Sequence, residues 1–188
     1  FNLNFVIAKL AVSRGITTKN FMNFVEPKIK NILPDPNTLD DMDKATAKIV
    51  EFIEGKKKIG IFGDYDVDGS TATALMCNYL DEIGASYEYY IPDRIKEGYG
   101  PNFNALKQLR NRNCELILTL DCGTSAKKPI NSLQKLGVEI IIVDHHLEAE
   151  SLPNAFAIIN PKKKSDSSNL INLCAAGVVF FLMVSINR

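Results

Sequence analysis

The sequence carries no excess charge of either sign: 22 lysines and arginines stand against 22 aspartates and glutamates. A chain so balanced has no global attraction to a polyanion, so any hold on nucleic acid must come from a local patch or from bound cations. The four cysteines, Cys77, Cys114, Cys122 and Cys174, stand singly with no CxxC or Cys/His finger spacing. That speaks against a zinc knuckle or a disulfide framework and for reduced thiols in a cytoplasmic protein. No stretch reaches the roughly 18 to 20 uncharged apolar residues of a membrane span, and the start lacks a basic-then-apolar secretory signal, so no membrane association is expected. Histidine occurs twice, at two neighbouring positions.

At 188 residues and 46% hydrophobic content the chain can bury one good core. It begins at Phe1 and stops at Arg188 directly after an apolar helical run, Ala175 to Ile186, so both ends are read as cut from a longer protein. From Phe5 to Glu54 the apolar residues fall mainly at helical spacing, interrupted at Arg14-Gly15 and Pro34-Asp35-Pro36. Leu39 to Ile53 reads as one helix, with Asp40, Asp41 and Asp43 near its amino end where the dipole favours them. Residues 1–54 are therefore expected to form a small helical lead-in.

After Gly55 short β-rich runs alternate with helical ones: 58–62, 70–83, 87–91, 102–111, 115–120, 125–136, 138–143 and 155–159. This predicts an α/β domain over 55–188, truncated at its carboxyl end, with a parallel β-sheet and helices on both faces. The runs Leu116-Ile117-Leu118 and Ile140-Ile141-Ile142-Val143 are apolar throughout, as strands buried on both faces must be. Ligands of such sheets sit beyond the carboxyl ends of the strands.

Three of the predicted strands end in groups able to bind metal. The first runs into Gly63-Asp64-Tyr65-Asp66-Val67-Asp68-Gly69, the third into Asp121-Cys122-Gly123, the fourth into Asp144-His145-His146. Alternate side chains of an extended stretch share a face, so Asp64, Asp66 and Asp68 can project together. At about 5 Å and an effective dielectric near 20 each ionised pair costs roughly 3 kcal/mol, which a divalent cation reverses. Singly, an Asp-rich turn is as often a helix cap, a histidine pair more often structural, and Asp before Gly ordinary turn chemistry. Together, at three strand ends, they favour a metal site. Carboxylate with imidazole suits Mn²⁺ and admits Mg²⁺, Fe²⁺ or Co²⁺, whereas the absence of cysteine ligands counts against structural zinc. Two ions sharing a bridging carboxylate would activate water against a phosphate ester or anhydride. An EF-hand is excluded, since its twelfth position is Leu75 and a β-run precedes it; a P-loop is excluded for want of Gly-Lys-Ser/Thr.

These three motifs, in this order, closely resemble the first three motifs of the DHH phosphoesterase family. Asp35-Pro36-Asn37-Thr38-Leu39-Asp40-Asp41-Met42, Ile91-Pro92-Asp93-Arg94 through Glu97-Gly98-Tyr99-Gly100, and Ala175-Ala176-Gly177-Val178-Val179-Phe180 resemble its RecJ branch of single-strand DNA exonucleases. The resemblance implies that Asp66, Asp68, Asp121 and His145 ligate Mn²⁺ or Mg²⁺ in a two-metal site, with Asp121 as the bridge. It implies a supporting role for Asp64, and for Asp144 and His146 the orientation of the site or contact with the scissile phosphate. Some relatives carry histidine where this chain has Phe62, so one ion would be held more loosely. The fourth-motif aspartate and the carboxyl-terminal domains of the family have no match before Arg188, so the chain as given is expected to bind metal poorly and hydrolyse little.

Arg94, Lys96 and Tyr99 fall in a loop after the second strand. There a tyrosine can stack on a base and cations can hold a phosphate; a solvated turn at Gly98 and Gly100 is the equal alternative. Lys162-Lys163-Lys164 reads as a solvated surface run. The resemblance implies a 5′ to 3′ exonuclease of single-stranded DNA in recombination and repair, working with a single-strand-binding protein and a helicase. Two alternatives stand beside it: a phosphodiesterase of short oligonucleotides, cyclic dinucleotides or pyrophosphate, and a non-catalytic DNA-binding relative.

Overall fold

The structure, a computed structural model, describes residues 4–188; residues 1–3 of the expected lead-in lie outside it. The chain divides into two compact units, one running to Asp35 and one from Pro36 to Arg188. The first contains α1 (Phe5–Ser13), α2 (Phe21–Val25) and α3 (Ile29–Ile32). The side chain of Asn4 caps α1 by accepting the N–H of Val6 at 2.9 Å.

The second unit opens with a 3₁₀ turn (Pro36–Thr38) and α4 (Met42–Glu54), then alternates strand and helix. β1 (Ile59–Phe62), α5 (Val67–Glu82) and β2 (Tyr87–Tyr90) lead to α6 (Phe103–Asn111), β3 (Leu116–Leu120) and α7 (Lys127–Gln134). β4 (Glu139–Val143), β5 (Ala157–Ile159) and α8 (Ala175–Ile186) complete it. All five strands are parallel, in the order β2-β1-β3-β4-β5. β1, β3 and β5 are buried at every position, which is why their sequences are apolar except at Thr119.

Strand alternation sorts the core into two layers. Phe62, Ile117, Ile140, Ile142 and Ile158 pack against Leu106 and Leu109 of α6 and Ile130 and Leu133 of α7. On the other face α4, α5 and α8 pack together over the sheet, with α4 against β5 and α8 against β4. The doubly covered parallel sheet is the architecture expected from the sequence. Helix α4, assigned to the lead-in, lies in the same compact unit as the sheet.

Asp41 and Asp43 stand at the amino end of α4 as the sequence indicated, and one local reading changed, at Lys163. Asp41 occupies the N-cap of α4 with φ 65° but makes no cap bond; its carboxylate accepts the N–H of Ile158 on β5 at 2.9 Å instead. Lys163 is not solvated: it is 6% exposed, with its ammonium 2.7 Å from Asp40, 3.2 Å from Asp41 and 2.9 Å from the Ile158 carbonyl. A buried lysine requires such partners, and the acidic start of α4 supplies them. Lys164 pairs with Glu148 at 3.1 Å.

Candidate metal centre

The strand order reverses between β1 and β3, and the crevice at their carboxyl ends is where such sheets bind ligands. Asp121 extends the ladder by one bond, its N–H reaching the Val143 carbonyl at 2.9 Å, and Asp144 does the same to Ile159 at 3.0 Å. The first strand, β1, turns at Gly63 into the Asp64 loop, where a Cβ on Gly69 would lie 2.5 Å from Asp64 Cβ. Glycine at 69 thus lets the start of α5 close over Asp64.

Oxygens of Asp64, Asp66 and Asp121 lie within 4.8 Å of one another, and so do ligand atoms of Asp121, His145 and His146. Asp121 belongs to both groups. It is 1% exposed and held at φ 62°, a left-handed conformation that costs a residue with a Cβ roughly 1–3 kcal/mol. Its Oδ1 faces His145 Nε2 at 3.3 Å and His146 Nδ1 at 3.9 Å, yet among the described residues neither it nor the buried Asp64 Oδ1 has a hydrogen-bond partner. Each such oxygen costs about 1–3 kcal/mol. Burial, then the charges of Asp68 and Asp66, push the Asp121 pKa up to about 8. Burial, with a smaller contribution from Asp66, raises that of Asp64. Buried carboxylates with raised pKa values and unused lone pairs are what a divalent cation would satisfy, so the residues fit a metal.

The histidines are oriented from behind. His145 Nδ1 meets the Leu173 carbonyl at 3.2 Å, which leaves Nε2 facing Asp121 and, at 3.5 Å, Asp68. This is the back-side hydrogen bond that fixes the tautomer of a ligating histidine. Asp144, 1% exposed, accepts the N–H groups of His145 (2.7 Å), His146 (3.1 Å) and Thr124 (3.0 Å), and contacts His146 Nδ1 at 2.8 Å. Burial works to raise its pKa, but the bonds from His146 and Thr124 prevail and hold it at about 2; the same contact with Asp144 raises the pKa of His146.

Asp66 is exposed and caps α5 through the Gly69 N–H at 2.9 Å, so it is both a cap and a member of the acidic group. Each oxygen of Asp68 accepts one N–H from the start of α8, that of Ala175 (2.7 Å) and that of Ala176 (2.9 Å), while its Oδ2 stays 3.5 Å from His145 Nε2. Tyr99 donates its hydroxyl to the Asp121 carbonyl at 3.1 Å and lies 3.1 Å from His146 Nδ1. Arg94 stays outside the cluster, its guanidinium 5.4 Å from the ring of Tyr65. Phe62 is buried in the core and stacks on Tyr90 at 5.8 Å.

Three supporting groups escaped the sequence reading: Thr124, the Leu173 carbonyl and Asn160. The last is buried at the end of β5 and donates to Thr124 Oγ1 at 3.0 Å and the His146 carbonyl at 2.8 Å. Its signal was its place after the fifth strand, beside Asp144 in the same sheet.

A parallel sheet with an acidic and histidine cluster at its switch point defines a metal-binding α/β protein. The chain belongs to the DHH family: residues 58–188 match the DHH family, N-terminal domain. It is 37% identical over 178 residues to the single-stranded-DNA-specific exonuclease RecJ of Bacillus subtilis, covering 94% of this chain and 22% of that protein. To RecJ of Escherichia coli it is 32% identical over 182 residues, or 96% of this chain and 31% of that one. Among solved structures, one of exonuclease RecJ bound to manganese superposes with a TM-score of 0.72 at 32% identity, covering 79% of this chain and 38% of the other. The chain thus spans between a fifth and a third of the length of these two curated relatives.

Proposed function

We propose that this chain is the metal-binding part of an exonuclease that hydrolyses phosphodiester bonds of single-stranded DNA from the 5′ end in recombination and repair. The observation that carries the reading is the pair of unpartnered, buried oxygens on Asp64 and Asp121 beside His145 at the carboxyl edge of the sheet. The RecJ relatives support the substrate class, and the manganese-bound relative supports the metal.

Asp66, Asp68, Asp121 and His145 would hold Mn²⁺ or Mg²⁺ in a two-metal site, Asp121 bridging and Asp64 supporting. When bound, the ions supply an acidified water and neutralise charge on the phosphoryl oxygens. Asp144 keeps His146 oriented toward the scissile phosphate, and Tyr99 holds the Asp121 backbone in its left-handed turn. Arg94, stacked beside the acidic loop, meets the strand farther out. Functionally the domain runs from 55, with 1–54 as its helical lead-in. A cytoplasmic setting with a single-strand-binding protein and a helicase as partners belongs to the same reading; for its part, no helix among the described residues is long and apolar enough to cross a membrane.

The test is Mn²⁺-dependent release of nucleotides from 5′-labelled single-stranded DNA by the complete protein, with Asp121→Ala alongside and dinucleotides as competing substrates. Release that requires both Mn²⁺ and Asp121 and prefers long strands supports the proposal. Normal turnover by Asp121→Ala refutes the mechanism, and preference for dinucleotides moves the protein to the small-substrate class.

A further inference from the structure

Beside the histidines a groove of about 640 Å³ opens between the segment after β4 and the segment before α8, lined by His145, Leu147, Lys162, Ile171 and Leu173. Its size is that of a small-ligand site. One wall is apolar and open, with Leu147 and Ile171 largely exposed. The other carries Lys162.

The three consecutive lysines have different fates. Lys163 is buried on Asp40 and Asp41, and Lys164 pairs with Glu148. Lys162 alone lines the groove, and it has no carboxylate partner among the described residues. The N–H groups that begin α8 at Ala175 and Ala176 are taken by Asp68, so they offer an anion nothing. The backbone of Lys162 is held, its N–H donating to Asn160 Oδ1 at 2.9 Å, and Asn160 in turn holds the His146 carbonyl. The backbone that carries the unpaired Lys162 side chain is therefore tied to that of His146.

We infer that this groove is a nucleotide subsite for the strand, in which Lys162 contacts the phosphate next to the one being cut while Leu147, Ile171 and Leu173 receive the sugar and base. The inference rests on the function proposed above. Charge complementarity selects the occupant: an anion of alternating phosphate and flat apolar surface matches one cation beside an open apolar wall. Lys162 acts through binding, away from the reacting atoms.

The experiment uses the complete protein and fluorescein-labelled oligothymidylate, with anisotropy read in EDTA over a salt series and turnover read separately in Mn²⁺. Lys162→Met is expected to weaken binding about tenfold, with partial recovery in Lys162→Arg, as for loss of one charge-assisted contact. The slope of log K against log salt should shrink by about 0.7, the value for one phosphate on a single strand. In turnover the loss should fall mainly on KM. Lys164→Met, whose ammonium is already paired, serves as the control and should leave the slope in place. If Lys162→Met binds with the affinity and slope of the wild type, the subsite is wrong while the exonuclease reading stands. A wild type that binds the strand but never cuts it overturns the exonuclease reading, and the Lys162 comparison still judges the groove. A wild type that does not bind the strand overturns both.

Discussion

The carboxylate of Asp68, in the first turn of α5, accepts the backbone N–H of Ala175 at 2.7 Å across 107 positions of sequence. With the second bond to Ala176 it ties the start of α8 to the acidic loop. Asp68→Asn would set an amide N–H₂ against one of these donors. The expected cost is about 2 kcal/mol, or about 4–8 °C in the melting temperature of a chain this size, read by thermal denaturation in EDTA. An unchanged melting temperature would leave Asp68 no part in docking the helix.

Asp121 should behave in the opposite way. Its pKa of about 8 in the folded protein lies above the ordinary carboxylate value, so between roughly pH 4 and 8 the folded state keeps a proton that the unfolded chain has lost. Stability of the metal-free protein must then fall as pH rises through that window, by on the order of a few kcal/mol. Asn tolerates the left-handed turn at 121 and carries no charge. Metal-free Asp121→Asn is expected to melt above the wild type at pH 8, to match it near pH 4, and to lose the stabilisation that Mn²⁺ confers on the wild type. Parallel melting curves at both pH values would contradict this.

For Asp144 the sign reverses again. Its folded pKa of about 2 lies below the unfolded value, so its contribution is complete above about pH 4 and disappears as pH falls toward 2. Asp144→Asn should cost roughly 2 kcal/mol at pH 7 and flatten the acid limb of the stability curve. Urea titrations at pH 7 and pH 3 would show the difference between variant and wild type shrinking at the lower pH.

Tyr99 separates two roles that its position leaves combined. Tyr99→Phe retains a ring able to stack on a base but removes the hydroxyl that meets the Asp121 carbonyl and His146. If the hydroxyl positions the turn, turnover by the complete protein should fall about three- to tenfold, as for one lost hydrogen bond. Wild-type turnover by the phenylalanine variant would assign Tyr99 to stacking alone.

The sheet and the convergence of its acidic ends were legible in the residues because both depend on local patterns. Unbroken apolar runs such as Ile140 to Val143 mark strands covered on two faces, and the alternation with helical segments makes neighbouring strands parallel. From that, Asp64, Asp121 and Asp144 had to come out on one edge, since parallel strands all end on the same side. The helix Ala175–Ile186 was likewise readable from its apolar run.

What the sequence alone determined, then, was the class of fold and the list of side chains at the carboxyl edge. Tertiary structure decided how those side chains are used. Nothing local distinguishes Lys163 from Lys162 and Lys164, yet one is buried on Asp40 and Asp41, one faces the groove and one pairs with Glu148. Nor does any periodicity indicate that Asp68 would hold α8, that Asn160 would support His146, or that Asp121 would be forced to φ 62°. Periodicity reports which face of an element is apolar, whereas hydrogen bonds between groups more than a hundred residues apart form only when the packed fold has brought a carboxylate within 3 Å of a distant backbone N–H.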